Sequence, residues 1–345
     1  MEISSAPTQV RPPAIDTLSI TVVVDSHFDG LAPDEAHPGL SVVRGRGKLL
    51  GQHGLSLLVQ TTLGDVKRRC LLDFGMTQDA LLPNIEMLEL DLSDLDALIL
   101  SHGHLDHFGG LPHLLAQHRD RMPKNLPIYM GGEDVFCRRW HKLPGGRRRS
   151  YGVLDRRELE RADLRVVMSE QPAIVADHVF TTGMISRTSF ENVIPNTYSE
   201  LGQRDGVGCC GTNLRGFFTE EQLSSGELVP DQHWGEHATA FNLRGRGLVV
   251  ITSCGHAGVI NSVRQAQAVS GVQKVHAVIG GFHLSPATKD YVADVVRALK
   301  EEIDMDYIVP MHCTGATFSH LVAREMPDKL VMSYVGSRFD FSATS

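Results

Sequence analysis

An α/β fold is what this sequence predicts, and two features of its patterning predict it. Short apolar runs rich in β-branched residues recur toward both ends, at residues 20–24, 55–61, 97–100, 248–251, 274–279, 307–309 and 330–334. Several are unbroken, the pattern of strands covered on both faces. Between them lie stretches with helical spacing. Ser285-Pro286 reads as a cap followed by proline at the first helical position, and Val292, Val295, Val296, Leu299 and Ile303 then mark one face. Val259, Ile260, Val263, Ala266 and Val269 run down to Gly271, a helix-stopping residue. Strands alternating with amphipathic helices put helices on sheet faces.

The middle of the chain lacks this character. From about Met130 to Trp234 it is irregular, with pieces such as Gly202-Gln-Arg-Asp-Gly-Val-Gly208 and one or two strands near residues 173–182. We read about 130–235 as an insertion or cap over the active site of a domain spanning 18–345, because long irregular segments in compact proteins are commonly binding loops. Residues 1–17 carry Pro, Ser and Glu without the apolar stretch of a signal peptide, and read as a flexible tail.

Composition narrows the function. With 345 residues, 42% hydrophobic and 21% charged, the chain is an ordinary globular one. No run reaches the ~18 apolar residues of a membrane span. A net charge of −8 gives no general grip on nucleic acid. The six cysteines show neither CxxC pairing nor disulfide-framework density, so they read as reduced thiols of a cytoplasmic protein. Neighbouring Cys209 and Cys210 are given no joint role.

The chemistry concentrates at Ser101-His102-Gly-His104-Leu-Asp106-His107, where the run 97–100 ends. In an extended stretch, positions i and i+2 point the same way, so His102 and His104 converge on one point. Gly103 lets the backbone bend, and a turn returns Asp106 and His107 to a neighbouring point. Imidazole with carboxylate suits zinc, iron or manganese.

That cluster behind a buried strand resembles the hallmark of the metallo-β-lactamase superfamily. The motifs Gln52-His-Gly-Leu-Ser56, Leu72-Asp-Phe-Gly75, Leu100-Ser-His-Gly-His-Leu-Asp-His-Phe-Gly-Gly-Leu111, Thr252-Ser-Cys-Gly-His-Ala-Gly258, Ile279-Gly-Gly-Phe-His283 and Pro310-Met-His-Cys-Thr-Gly315 occur in order. Together they resemble one branch, the 7,8-dihydropterin-6-methyl-4-(ribofuranosyl)aminobenzene-5′-phosphate synthase-like proteins, from about residue 18 to 336. The resemblance implies an αβ/βα sandwich. It also implies two divalent ions, zinc first with manganese or iron as alternatives, held by His102, His104, Asp106, His107, His256 and His312. Asp73 matches an acid that accepts the free ring N–H of a ligating histidine. Many superfamily members place an Asp between the metals, but Thr252-Ser-Cys254-Gly-His256 has none; Cys254 as thiolate, or His256, takes that place. His283 is assigned to metal or substrate. His237 stands where the branch has an acid, and is left outside the ligand set.

The implied activity is metal-dependent hydrolase-type chemistry on a small, anionic, phosphorylated or pterin-like molecule, with Asp106 as catalytic carboxylate and proton shuttle. Arg138, Arg139 and Trp140, with Arg147, Arg148 and Arg149, form a basic patch in an acidic chain. Arginines pair bidentately with phosphate and tryptophan stacks on flat rings, so this patch and Arg187 are the substrate candidates. A superfamily nuclease is the alternative, disfavoured because duplex binding needs many phosphate contacts. A non-catalytic metal-binding regulator is another. Neither the oligomeric state nor the choice among phosphoester, lactone, thioester and pterin chemistry is written in these residues.

Overall fold

The computed structural model describes residues 8–194 and 196–344, with the side chain of Thr212 also left aside. Two large sheets face each other. The first has nine strands, in the order Arg165–Met168, Pro127–Met130, Ala97–Leu100, Val66–Leu72, Ser56–Leu63, Thr17–Val24, Arg338–Ser342, Leu40–Val43 and Glu35–His37. The second runs Ala173–Val175, Val179–Thr181, Thr239–Leu243, Gly247–Thr252, Val275–Gly280 and Tyr307–Pro310, with Ala14–Ile15 added beside Thr239–Leu243.

The unbroken apolar runs are explained by what each face meets. In Ala97–Leu100, Ala97 and Ile99 enter the core between the sheets, whereas Leu98 and Leu100 face the helices Gln78–Met87 and Leu111–His118. In Gly247–Thr252, Val249 and Ile251 face the other sheet, while Leu248 and Val250 meet the helices Val259–Ser270, Lys289–Ala298 and Ala316–Glu325. Period-two side chains buried on both faces give four layers, helix–sheet–sheet–helix. This is the expected αβ/βα sandwich.

Several boundaries differ from the sequence reading. Residues 330–334 form no strand; Leu330 makes only an isolated bridge to Ile308. The last strand is Arg338–Ser342, where Phe339 and Phe341 alternate inward between polar neighbours. Ser285-Pro286 does not open a helix; Thr288 caps the one that starts at Lys289. The flexible-tail reading also needs correction. Val10 N–H donates to the Val269 carbonyl and Ile15 is fully buried, because the edge of Thr239–Leu243 offers unpaired backbone groups. Only residues 1–7 of that tail lie outside the described residues.

The insertion is two pieces rather than one, since residues 165–181 supply strands to both large sheets. Its pieces meet in a small sheet ordered Arg148–Ser150, Arg138–Lys142, Tyr198–Glu200 and Leu228–Pro230. A disulfide joins Cys137 to Cys209 across 72 residues. This corrects the reading of all thiols as reduced: spacing along an irregular segment does not reveal where the chain returns. No helix among the described residues is long and apolar enough to cross a membrane.

Val66–Leu72 and Ala97–Leu100 run parallel, as do Gly247–Thr252, Val275–Gly280 and Tyr307–Pro310. Their C-terminal loops therefore leave at one edge of the sandwich, where α/β proteins collect functional groups. Gly280 lets two of these loops approach: its φ is +120°, and a Cβ there would sit 1.8 Å from the Thr252 carbonyl oxygen. Gly280→Ala should therefore cost at least about 1–3 kcal/mol and lower the melting temperature by several degrees. A thermal melt within about 1 °C of wild type would contradict this packing.

Candidate metal centre

The first cluster takes its shape from the turn after Ala97–Leu100. Ser101 N–H donates to Asp73 at 2.8 Å, pinning the chain as it leaves the sheet. Gly103 passes so close to the cap that a Cβ would lie 2.2 Å from the Val135 carbonyl oxygen. His104 is extended (φ −87°, ψ 146°) and opens the short helix Leu105–Phe108, which swings Asp106 and His107 back. The four side chains come together, each at most 3% exposed, with His102 centred 4.8 Å from His104 and 4.2 Å from His107.

Hydrogen bonds orient each ring from behind. His107 Nδ1 lies 2.7 Å from Asp73, and His102 Nδ1 lies 3.0 Å from Ser101 Oγ. His104 Nε2 reaches Thr197 Oγ1 at 2.9 Å. The opposite nitrogens of His102 and His107, both nitrogens of His256 and one oxygen of Asp106 are buried without partners among the described residues. Such groups are expensive to leave unpaired, and their donor types are those that hold divalent ions. Burial first, then neighbouring imidazoles, push His102 and His256 well below the usual histidine range and keep them in the neutral, ligating form.

Buried carboxylates hold the other arms. The N–H groups of His256 and Ala257 donate to Glu236 at 3.0 and 2.7 Å. His312 N–H donates to Asp25 at 2.8 Å, and His312 Nε2 lies 3.1 Å from Asp106. Cys254 stands where the superfamily Asp is missing. Its sulfur is within 4.8 Å of ligand atoms of His102 and His256, and likewise of His107 and His312. His283 packs on His256 at 4.1 Å.

Three more side chains join that sequence reasoning did not single out. His233 stacks on His256 at 3.8 Å and forms a possible ligand group with it and His104. It is a lone histidine in an irregular stretch, and no periodicity marks it. His53 reaches Asp106 at 3.3 Å and packs 4.5 Å from His312; its place in Gln52-His-Gly was the available signal. Tyr151, from the cap, sits 5.4 Å from His104 and close enough to Asp106 to feel its charge. His237 stays outside: its Nε2 lies 3.0 Å from the Leu100 carbonyl oxygen, behind the strand.

The substrate candidates need correction. Arg139 is 1% exposed, and its guanidinium is spent on Asp231 at 2.7 Å and on the Val135 and Cys137 carbonyls. It braces the loop under His104 and is closed to a ligand. Trp140 donates its indole N–H to Glu200, and Arg138 bonds the Arg204 carbonyl, both within the cap. Arg187 is held by Gln232 and lies 4.2 Å over the Trp234 ring, bracing the loop that carries His233. Arg147, Arg148 and Arg149 are exposed.

One arginine serves two acids here. Burial raises both, but Arg139, with His233 and His104, holds Asp231 well below the carboxylate range. Asp134, 3.8 Å from Arg139, is instead pushed up to about 6 by burial.

The fold is the αβ/βα sandwich of metallo-β-lactamase-fold proteins. Residues 51–189 match the model of the metallo-beta-lactamase superfamily. It is 27% identical to the 7,8-dihydropterin-6-methyl-4-(beta-D-ribofuranosyl)-aminobenzene-5'-phosphate synthase of Methanocaldococcus jannaschii, over 84% of this chain and 90% of that one. An uncharacterized protein of the same organism is 26% identical, over 84% and 93%. Among solved structures, a metal-dependent hydrolase of the beta-lactamase superfamily superposes with a TM-score of 0.66 and 21% identity, covering 93% of this chain and 98% of its own.

Two measurements check this account. Asp73→Ala should weaken metal retention roughly 10–100-fold in competition with a chelator, since His107 loses its orienting acceptor; unchanged affinity would contradict the role. Asp134 has a raised folded-state pKa, so its contribution to stability is complete below about 4 and lost as pH rises through about 6. Asp134→Asn, which mimics the protonated form, should therefore gain stability relative to wild type across that window. Parallel urea midpoints from pH 4 to pH 7 with a constant gap would refute it.

Proposed function

We propose that this chain is a metal-dependent enzyme using hydrolase-type chemistry on a small anionic substrate of the phosphorylated, pterin-like class. The observation that carries the reading is the convergence of buried, unpartnered imidazole nitrogens and a carboxylate oxygen on one spot. His102, His104 and His256, with His233, would hold one divalent ion; Asp106, His107 and His312 would hold a second. Zinc suits this donor set first, and manganese or iron also fit. When bound, such ions supply Lewis acidity and lower the pKa of water from 15.7 to about 7.

The chain's own residues handle orientation and protons. Asp106 meets His53 and His312, so a proton it accepts has an exit through half-exposed His53. Burial first, then the Asp106 carboxylate, keep Tyr151 protonated, a donor suited to a developing oxyanion. Exposed Arg148 and Arg149 lie on the strand that leads into Tyr151, where a substrate phosphate would meet them. Beside His312 opens a hollow of about 470 Å³, walled partly by Met311, Ala323, Met332 and Tyr334, of a size and character for a flat ring. The pterin phosphate in the name of the Methanocaldococcus synthase is of the same chemical class and supports that part of the reading.

The test is metal analysis followed by turnover on phosphodiesters, lactones and pterin phosphates. His107→Ala should lose both metal and activity. Tyr151→Phe should keep its metal and lose about 10²-fold in kcat. Full turnover by chelator-treated, metal-free protein would sink the proposal, and robust cleavage of polymeric RNA or DNA would redirect it to a nuclease.

A further inference from the structure

We propose a further metal site, sulfur-lined and adjoining the histidine cluster, formed by Cys254, His283 and Cys313. Their ligand atoms lie within 4.8 Å of one another, and all three side chains are buried. Cys254 Sγ is 3.2 Å from Cys313 Sγ and 3.7 Å from His283 Nδ1. A tetrahedral ion with bonds of about 2.3 Å to sulfur and about 2.0 Å to nitrogen spaces its ligand atoms by roughly 3.5–3.8 Å. The sulfur–nitrogen separation falls in that range, and the two sulfurs stand somewhat inside it.

Independent features converge on the same point. His283 has φ +46° and His312, the residue before Cys313, has φ +49°. Left-handed backbone at two non-glycine residues on adjacent strand ends is a cost that a functional constraint explains. Gly281 opens the space: a Cβ there would stand 2.8 Å from Cys313 Sγ. The His283 backbone N–H points at Cys313 Sγ from 3.3 Å.

The site is separable from the centre above. Cys254 is shared with the histidine groupings, but His283 and Cys313 belong to none of them among the described residues. Two thiolates and an imidazole select a thiophilic divalent ion of the zinc class over magnesium or manganese, and leave a fourth position open. An ion held there would tie together the ends of Gly247–Thr252, Val275–Gly280 and Tyr307–Pro310. The inference does not depend on which reaction the chain catalyses.

The experiment uses the full chain, reduced, stripped of metal and reloaded with cobalt(II) alone. Metal per chain is counted by mass spectrometry, and thiolate-to-cobalt charge transfer is read in the near ultraviolet. His283→Ala and Cys313→Ser should each bind about one ion per chain fewer than wild type. Cys313→Ser should also lose about half of the charge-transfer intensity while keeping the ligand-field bands of histidine-bound cobalt. Wild-type stoichiometry and charge transfer in both variants would overturn the proposal. If a variant fails to fold, cobalt-edge absorption on wild type decides: two sulfurs per chain at about 2.3 Å support the site, and one or none overturns it. A chain inactive on every substrate leaves these readouts intact, so failure of the functional reading and failure of this site remain distinguishable.

Discussion

Everything at this centre depends on burying imidazole nitrogens that have no partner among the described residues. Each such group, left alone, costs roughly 1–3 kcal/mol, and several of them face one point. The fold sustains this by fixing the backbone behind each ligand with a buried carboxylate. Asp73 takes the Ser101 N–H and the His107 ring, Glu236 takes the His256 and Ala257 N–H groups, and Asp25 takes the His312 N–H. Burial raises the carboxyls of Asp25 and Glu236, and the backbone donors partly offset it. A ligand loop held by its own peptide groups keeps its side chain free to face a cation.

The same device explains why the sandwich matters. Parallel strands deliver their loops to one edge, and the acids sit in or beside those loops, below the ligands. Were the strands to slip by one residue, every side chain would change face. Val249 and Ile251 would leave the inter-sheet core, and the ligand loops would lose their register with it.

Much of this was legible in the sequence because local periodicity and core burial agree there. The run 97–100 reads as a doubly covered strand because it is one, and the His-x-His-x-Asp-His spacing dictates a turn whatever surrounds it. Residues 330–334 misled, since an apolar stretch at a sheet end can be buried without joining the ladder. Arg138-Arg139-Trp140 misled for a related reason: composition reports charge, but only tertiary structure shows that Asp231 already neutralises Arg139. His233, Tyr151 and the Cys137–Cys209 pairing were invisible because irregular chain carries no period to extrapolate.

Those last residues share an origin in the inserted chain. Tyr151, Thr197, Asp231 and His233 all come from the cap, while His102, His107, His256 and His312 come from the strand ends of the sandwich. The centre is thus assembled from two segments under different constraints. One half is fixed by the packing of the sheets, whereas the other half is irregular chain tied to the helix-side core through residues such as Phe136, Leu154 and Val229. A lineage with this architecture can acquire new chemistry by rewriting its cap, and the cap is where divergence among relatives should concentrate.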